Sequence, residues 1–264
     1  RIYQLPLGVV GVAVAVVLLP ELARALKGGH MKEAGNLQNR SIEFVLFLTL
    51  PAAAAIWVLS DEIIRVLYER GAFSEQNTAV VASILAIYGI GLPGFVLIKA
   101  LQPGYYARED TKTPMRFTMV SVALNTGLAI TLFPIFEESG IAIAEAAAGW
   151  TNTILLFSVL VWRGHIVFEW SLVTRTLRLM IASAIMAGLL VYLSDRWSAW
   201  LQPSSPLFDQ ILALGGLVVV AMPVYFGIAF LIGGADIGTI RRSLKRRKKA
   251  ADEPAAASAD PDQQ

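Results

Sequence analysis

Long stretches without a single charged residue divide this chain. Uncharged windows run over residues 2–20, 44–60, 76–98, 117–136 and 210–235. Two more are less clean: 139–162 is interrupted only by Glu145, and 179–194 extends back as a helix to about Leu172. Crossing the hydrocarbon core takes roughly 20 mainly apolar residues, so the pattern predicts seven transmembrane helices. The runs are too long for strands and do not alternate, which argues against a β-barrel. The predicted fold class is all-α, a polytopic membrane helix bundle. Between the spans, 61–76 reads as a short amphipathic helix and turn on one membrane surface, and 30–42 as an interfacial lead-in to the second span. The Ala-, Pro- and Asp-rich end reads as disordered.

Composition agrees with this picture. Of the 264 residues, 56% are hydrophobic and only 16% charged, against about 25% charged in soluble domains. The mean hydropathy is +0.60. There are no cysteines, which excludes disulfides, thiolate metal sites and cysteine nucleophiles.

Net charge is only +2, but its distribution carries the information. One set of alternate loops, with the tail, holds 17 of the 22 basic residues, seven of them between Arg241 and Lys249. The opposite set holds 3: Arg65, Arg70 and Arg196. Basic residues concentrate in cytoplasmic loops, so the C-terminus is expected in the cytoplasm and residue 1 near the outer side. Trp57, Trp197 and Trp200 then fall near the outer boundary and Trp162 and Trp170 near the inner one, as in an aromatic belt. Trp150 sits well inside a span. The chain begins at Arg1 without an initiator Met and enters an apolar run at once. The expectation is a fragment preceded by further membrane crossings.

Enzyme chemistry finds no support. There is no nucleophile motif, HExxH or phosphate-binding Gly loop. His30 and His165 read as solvated loop histidines. The adjacent pairs Glu109–Asp110 and Glu137–Glu138 lack the opposed geometry of an acid/base couple. No cofactor and no metal are expected.

Ionisable groups at membrane depth are more informative, because burying a charge there is costly and usually marks a cavity. Arg1 precedes a charge-free stretch and would point into a bundle if a helix continues ahead of it. Lys99, in LIKALQPGYY, either snorkels to the interface or lines an inner gate. Glu145 lies one to two turns into its span, where an interfacial placement also explains it. Asn125 is mid-span, and an interhelical hydrogen bond is its default reading. The string GIGLPG supplies Gly89, Gly91, Pro93 and Gly94, which suit either a helix that bends during alternating access or close helix packing.

Three strings together carry a resemblance: YQLPLGVVGVAVAVVLLPELARAL (3–26), YERGAFS (68–74) and KALQPGYYAREDTKTP (99–114). In that order and spacing they resemble the MurJ (MviN) family of bacterial lipid II flippases, within the multidrug/oligosaccharidyl-lipid/polysaccharide exporter superfamily. The resemblance runs to about residue 240 and implies helices 8 to 14 of a fourteen-helix, two-lobed transporter of the inner membrane. By the same resemblance, residues 1–163 are helices 8–12 of the C-terminal lobe. Residues 164–235 are two extra helices forming a lipid-tail groove, and 236–264 a basic cytoplasmic and disordered tail.

The implied activity is moving undecaprenyl-pyrophosphate-linked disaccharide-pentapeptide (lipid II) from inner to outer leaflet for peptidoglycan synthesis. Alternating access, coupled to membrane potential or a cation gradient, is the implied mechanism. Arg1 matches a cavity arginine, whose guanidinium suits pyrophosphate oxygens. Gln4, one turn on, and Lys99 are the other substrate-binding candidates. Asn125 matches a residue of the Na⁺ site of some relatives, but Ala129 stands where a carboxylate is expected. The implied partners are lipid II, membrane lipids and an N-terminal lobe of the same protein, with no nucleic acid. Competing readings are an exporter of another polyprenyl-linked saccharide or of drugs, and a non-transporting scaffold for wall-synthesis enzymes.

Overall fold

A computed structural model describes residues 2–166, 169–203 and 205–233. Among them all regular structure is helical, in eight main helices. Helix α1 is Gln4–Lys27, with Leu7–Val12 wound as a π-helix. It is followed by α2 (Met31–Val58), α3 (Ser60–Tyr68), α4 (Glu75–Tyr106), α5 (Lys112–Phe136), α6 (Glu138–Trp162), α7 (Trp170–Arg196) and α8 (Leu207–Leu231). All but α3 are long and apolar enough to cross a membrane, so each of the seven expected spans is present. The polytopic all-α bundle is the observed fold.

The ends of the helices follow local chemistry. Past α1 the chain turns at Gly29, whose φ is +75°, and the His30 amide donates to the Ala25 carbonyl at 2.9 Å. This satisfies an end carbonyl that the helix itself leaves open. At the start of α4, Ser74 Oγ accepts from the Asn77 amide at 3.4 Å, and Glu75 sits in the first turn beside the positive end of the dipole. A single residue, Glu137 at φ +51°, joins α5 to α6. That hairpin closes so tightly that a Cβ on Gly140 would lie 2.8 Å from the Leu132 carbonyl carbon and oxygen.

Proline interrupts none of the helices. Pro20, Pro51, Pro93, Pro103, Pro134 and Pro223 all lie inside them, since neighbouring helices can satisfy the carbonyls that proline frees. Helix α4 occupies the middle, packed against α1, α2, α3 and α6, while α2 also carries α7 and α7 carries α8. Half of the apolar window of α4 is buried, against 6% for α5, which rests chiefly on α6. Exposed Met115, Met119 and Ile130 on α5 and Val219 on α8 therefore present a face suited to lipid or to further helices. Trp57, Trp162, Trp170 and Trp200 are exposed near helix ends.

Two surface elements differ in outcome. The amphipathic segment forms α3 and the turn after it. Its Ile64 and Val66 are buried, and Glu62 accepts a hydrogen bond from Ser194 Oγ at the end of α7. The lead-in expected at 30–42 is not a separate element: residues 31–42 are the first turns of α2 itself. Ala34, Gly35, Gln38, Asn39 and Ile42 are buried there. Gln38 Nε2 donates to the Ala100 carbonyl of α4 at 2.7 Å, so a polar sequence that reads as interfacial is accommodated inside by pairing with a neighbouring backbone.

Candidate functional site

One group of polar and aromatic side chains lies in a seam where the start of the chain meets α4, beside α6. On α4, Tyr88, Phe95 and Lys99 recur at intervals of seven and four residues, which places them on one helical face. Tyr3, just ahead of α1, stacks on Tyr88 with ring centroids 4.3 Å apart and an interplanar angle of 11°. It also meets Phe95 at 6.1 Å. The hydroxyl of Tyr88 donates to Glu145 Oε2 of α6 at 2.7 Å. Helices α4 and α6 are thus joined through one carboxylate, with the lead into α1 stacked on its donor.

Lys99 lies further along the same face, a rise of roughly 16 Å from Tyr88. It is exposed, and among the described residues no carboxylate forms an ion pair with it. Its stem crosses Gly11 in the π-helical stretch of α1, where a Cβ would sit 3.1 Å from Lys99 Cγ and 3.3 Å from its Cβ. Glycine at that point lets the alkyl chain lie on the backbone while the ammonium stays in the open seam. Single-turn π-helices concentrate at functional sites, and this one is where α1 receives the lysine. Gln4 is exposed one residue beyond Tyr3. Arg1 lies outside the described residues, as does the basic run of the tail.

The GIGLPG string is where α4 and α6 dock. A Cβ at Gly94 would meet Trp150 Cδ2 at 3.1 Å, one at Gly91 would meet Ala146 Cβ at 3.2 Å, and one at Gly89 would meet the Ala53 carbonyl of α2 at 3.2 Å. Carbonyls around Pro93 find partners on α6: Trp150 Nε1 donates to Ile90 O at 3.1 Å and Thr153 Oγ1 to Gly94 O at 2.8 Å. The mid-span tryptophan is therefore a hydrogen-bonded knob. In this conformation α4 runs through the string without a break. Asn125 is half-buried on α5, and its Oδ1 has no hydrogen-bond partner among the described residues; neither has Ser121 Oγ one turn earlier.

A second polar cluster lies beyond the spans, in the loop after α4. Asp110 accepts from the Thr113 amide at 3.0 Å, the Thr113 hydroxyl at 2.7 Å and Arg163 Nη1 at 2.6 Å. Burial works to raise its pKa, but the bonds from Thr113 and Arg163 outweigh it and hold the carboxyl down to about 2. His165 is pushed below its usual range by burial, then by the Arg108 and Arg163 guanidinium groups. This cluster clamps the α4–α5 loop to the end of α6, and Tyr105 reinforces it by donating to the Leu156 carbonyl at 2.6 Å.

The seam residues that sequence reasoning passed over are Tyr3, Gly11, Tyr88 and Phe95. The interval shared by Tyr88, Phe95 and Lys99 was a usable signal. The pairing of Tyr3 with Tyr88 had none, because the two are far apart in the chain.

Seven helices long and apolar enough to cross a membrane, with glycine and proline at the α4–α6 contact, define a multi-pass α-helical membrane protein. The family model described as lipid II flippase MurJ matches residues 1–210, and the chain belongs to that family. It is 66% identical over 250 residues to the probable lipid II flippase MurJ of Rhizobium tropici, covering 95% of this chain and 47% of that protein. The corresponding protein of Rhizobium meliloti (strain 1021) is 61% identical over 251 residues, with the same coverage. One from Burkholderia cenocepacia, named lipid II flippase MurJ, is 29% identical over 234 residues, covering 88% of this chain and 45% of that protein. The chain spans about half the length of these relatives.

Proposed function

We propose that this chain forms one lobe, with two additional helices, of a lipid II flippase of the bacterial inner membrane. In this reading it works by alternating access against an N-terminal lobe, and its C-terminus faces the cytoplasm. Residues 1–163 form the lobe, 164–235 the groove for the lipid tail, and 236–264 the tail. The transport step breaks no covalent bond; the protein provides a polar path for a charged headgroup while the lipid tail stays in apolar surroundings.

The observation that carries the reading is the open ammonium of Lys99, held on the seam by Gly11 without a partner carboxylate among the described residues. A pyrophosphate is the kind of ligand that such a cation meets favourably. Arg1 would supply a second, bidentate contact, with Gln4 beside it. The docked string Gly89, Gly91, Pro93 and Gly94 would be the place where α4 bends between states, and Asn125 would be an ion ligand. Coupling is to membrane potential or a cation gradient.

The test uses the full-length protein in cells depleted of their own flippase, with lipid II in the outer leaflet as the readout. Lys99→Ala is expected to cut translocation by about 10-fold or more, the value of a charge-assisted contact to phosphate, at unchanged membrane abundance, and Lys99→Arg to restore most of it. Arg1→Ala is expected to abolish translocation. Normal translocation by the Lys99→Ala and Arg1→Ala variants together would remove the substrate-binding reading.

A further inference from the structure

One helical turn from Lys99, a rise of roughly 6 Å, the same face of α4 carries the aromatic ring of Phe95. Phe95 is half-buried and stands apart from the apolar core that Phe47, Trp150 and Phe157 pack against. Glycine on both helices sets its position. A Cβ on Gly149 of α6 would lie 2.6 Å from Phe95 Cδ1, and one on Gly91 of α4 would lie 2.8 Å from Cε2 and 3.0 Å from Cζ. A side chain at either point would displace the ring, which is therefore seated on the bare backbone of α4 and α6.

Tyr3 meets this ring with centroids 6.1 Å apart and planes tilted by 46°, so the two open at an angle instead of closing a stack. Tyr3 is itself fixed flat on Tyr88, and Tyr88 is held by Glu145. The result is an aromatic corner with pre-set walls beside an open cation. Rigid aromatic rings give large contact area at little cost in side-chain entropy. A pyranose suits such a wall, because its hydroxyls lie around the rim and its axial C–H bonds form an apolar face. In a glycosyl pyrophosphate the first sugar is bonded directly to phosphate. A ligand whose pyrophosphate meets Lys99 therefore brings that sugar to the neighbouring turn, where Phe95 stands. The prenyl chain leaves from the other phosphate and finds apolar surroundings throughout the bilayer, so a corner walled by phenols offers it nothing.

We propose that Phe95, seated on Gly91 and Gly149 and flanked by Tyr3, is the platform on which the phosphate-linked sugar of the transported glycolipid stacks. It is thereby the residue that distinguishes a glycosylated pyrophosphate from a bare one. The proposal rests on the flippase reading above and assigns the sugar part of the same site. No covalent bond is made or broken. Lys99 supplies a charge contact that every polyprenyl pyrophosphate can use. Phe95 supplies the discrimination, since only a ligand with a sugar at that place covers the ring.

The test measures binding of three lipids to the purified full-length protein in detergent: lipid II, its single-sugar form and bare undecaprenyl pyrophosphate. The readout is the preference for each glycosylated lipid, as a ratio of dissociation constants to the bare one. The wild type is expected to prefer both glycosylated lipids. Phe95→Leu, which fills the apolar seat without an aromatic face, is expected to cut both preferences by about 5- to 10-fold, the value of one good aromatic contact. Phe95→Tyr is expected to keep them. Gly149→Ala retains the ring but pushes it off its seat, and is expected to reduce the preferences too; it serves as the second variant if Phe95→Leu does not accumulate. Lys99→Ala is expected to weaken all three lipids together. A residue that only packs would alter thermal stability and leave the ratios in place. Wild-type preferences in Phe95→Leu or in Gly149→Ala, or a wild type that binds the glycosylated and bare lipids equally, overturn the proposal and leave the flippase reading intact. Failure of the wild type to bind any of the three removes the flippase reading and the sugar assignment with it.

Discussion

Two glycines of the α5–α6 hairpin predict opposite outcomes for the same substitution. At Gly140 an added Cβ would sit 2.8 Å from the Leu132 carbonyl carbon and oxygen and 3.0 Å from the Phe133 nitrogen, where ordinary contact begins at 3.4 Å. These neighbours are backbone, so no rotamer change relieves the clash. The two helices must separate by about half an ångström, against the single-residue link at Glu137. At Gly127, on α5, a Cβ would meet nothing within 4 Å. Replacing glycine by alanine inside a helix gains about 1 kcal/mol in intrinsic preference, and overpacking costs about 1–3 kcal/mol. Gly127→Ala is therefore expected to be neutral or stabilising by up to about 1 kcal/mol. Gly140→Ala nets a loss of about 1 kcal/mol, so the two variants differ by about 2 kcal/mol. Thermal unfolding of the intact protein in detergent, followed by retention of the monodisperse peak, ranks the two against wild type. Gly140→Ala matching or exceeding Gly127→Ala in stability would refute the packing argument for the hairpin.

Two further predictions concern the loop clamp and the α2–α8 contact. The Asp110 carboxyl is held at about 2, below its ordinary 3.8, so its contribution is complete above pH 3.8 and lost as pH falls toward about 2. His165 lies below its ordinary 6.5, so its neutral form favours the fold and that contribution fades as pH drops below about 6.5. Protease access to the α4–α5 loop should rise in two acid steps, with the lower step absent in Asp110→Asn and the upper absent in His165→Gln. Tyr225, 1% exposed, donates to the Phe47 carbonyl at 2.7 Å across α8 and α2. Tyr225→Phe should lower stability by about 0.5–1.5 kcal/mol, read as a fall of a few degrees in melting temperature. An unchanged melting temperature would show that this bond contributes nothing.

How far the sequence alone reached can be argued from particular elements. The spans were legible because a helix in lipid must satisfy its own backbone and present apolar side chains all round, and both demands are local. The same locality made α3 readable from its alternation of charge and apolar residues. Residues 30–42 read as separate from the second span because Gln38 looks interfacial in isolation, and only the packed bundle brings the Ala100 carbonyl of α4 to it. Lys99 and Glu145 stood out as charges at depth, yet nothing local said that one lies open over Gly11 and the other accepts a phenol.

By itself, then, the sequence determined the number and order of the apolar helices long enough to cross a membrane, because hydropathy acts on each segment separately. Tertiary structure alone decided which helix is central, why Trp150 is tolerated mid-span and that Tyr3, Tyr88 and Glu145 form one unit. Those are pairings between residues distant in the chain. Their energies depend on distances of a few ångströms that only the packed bundle sets.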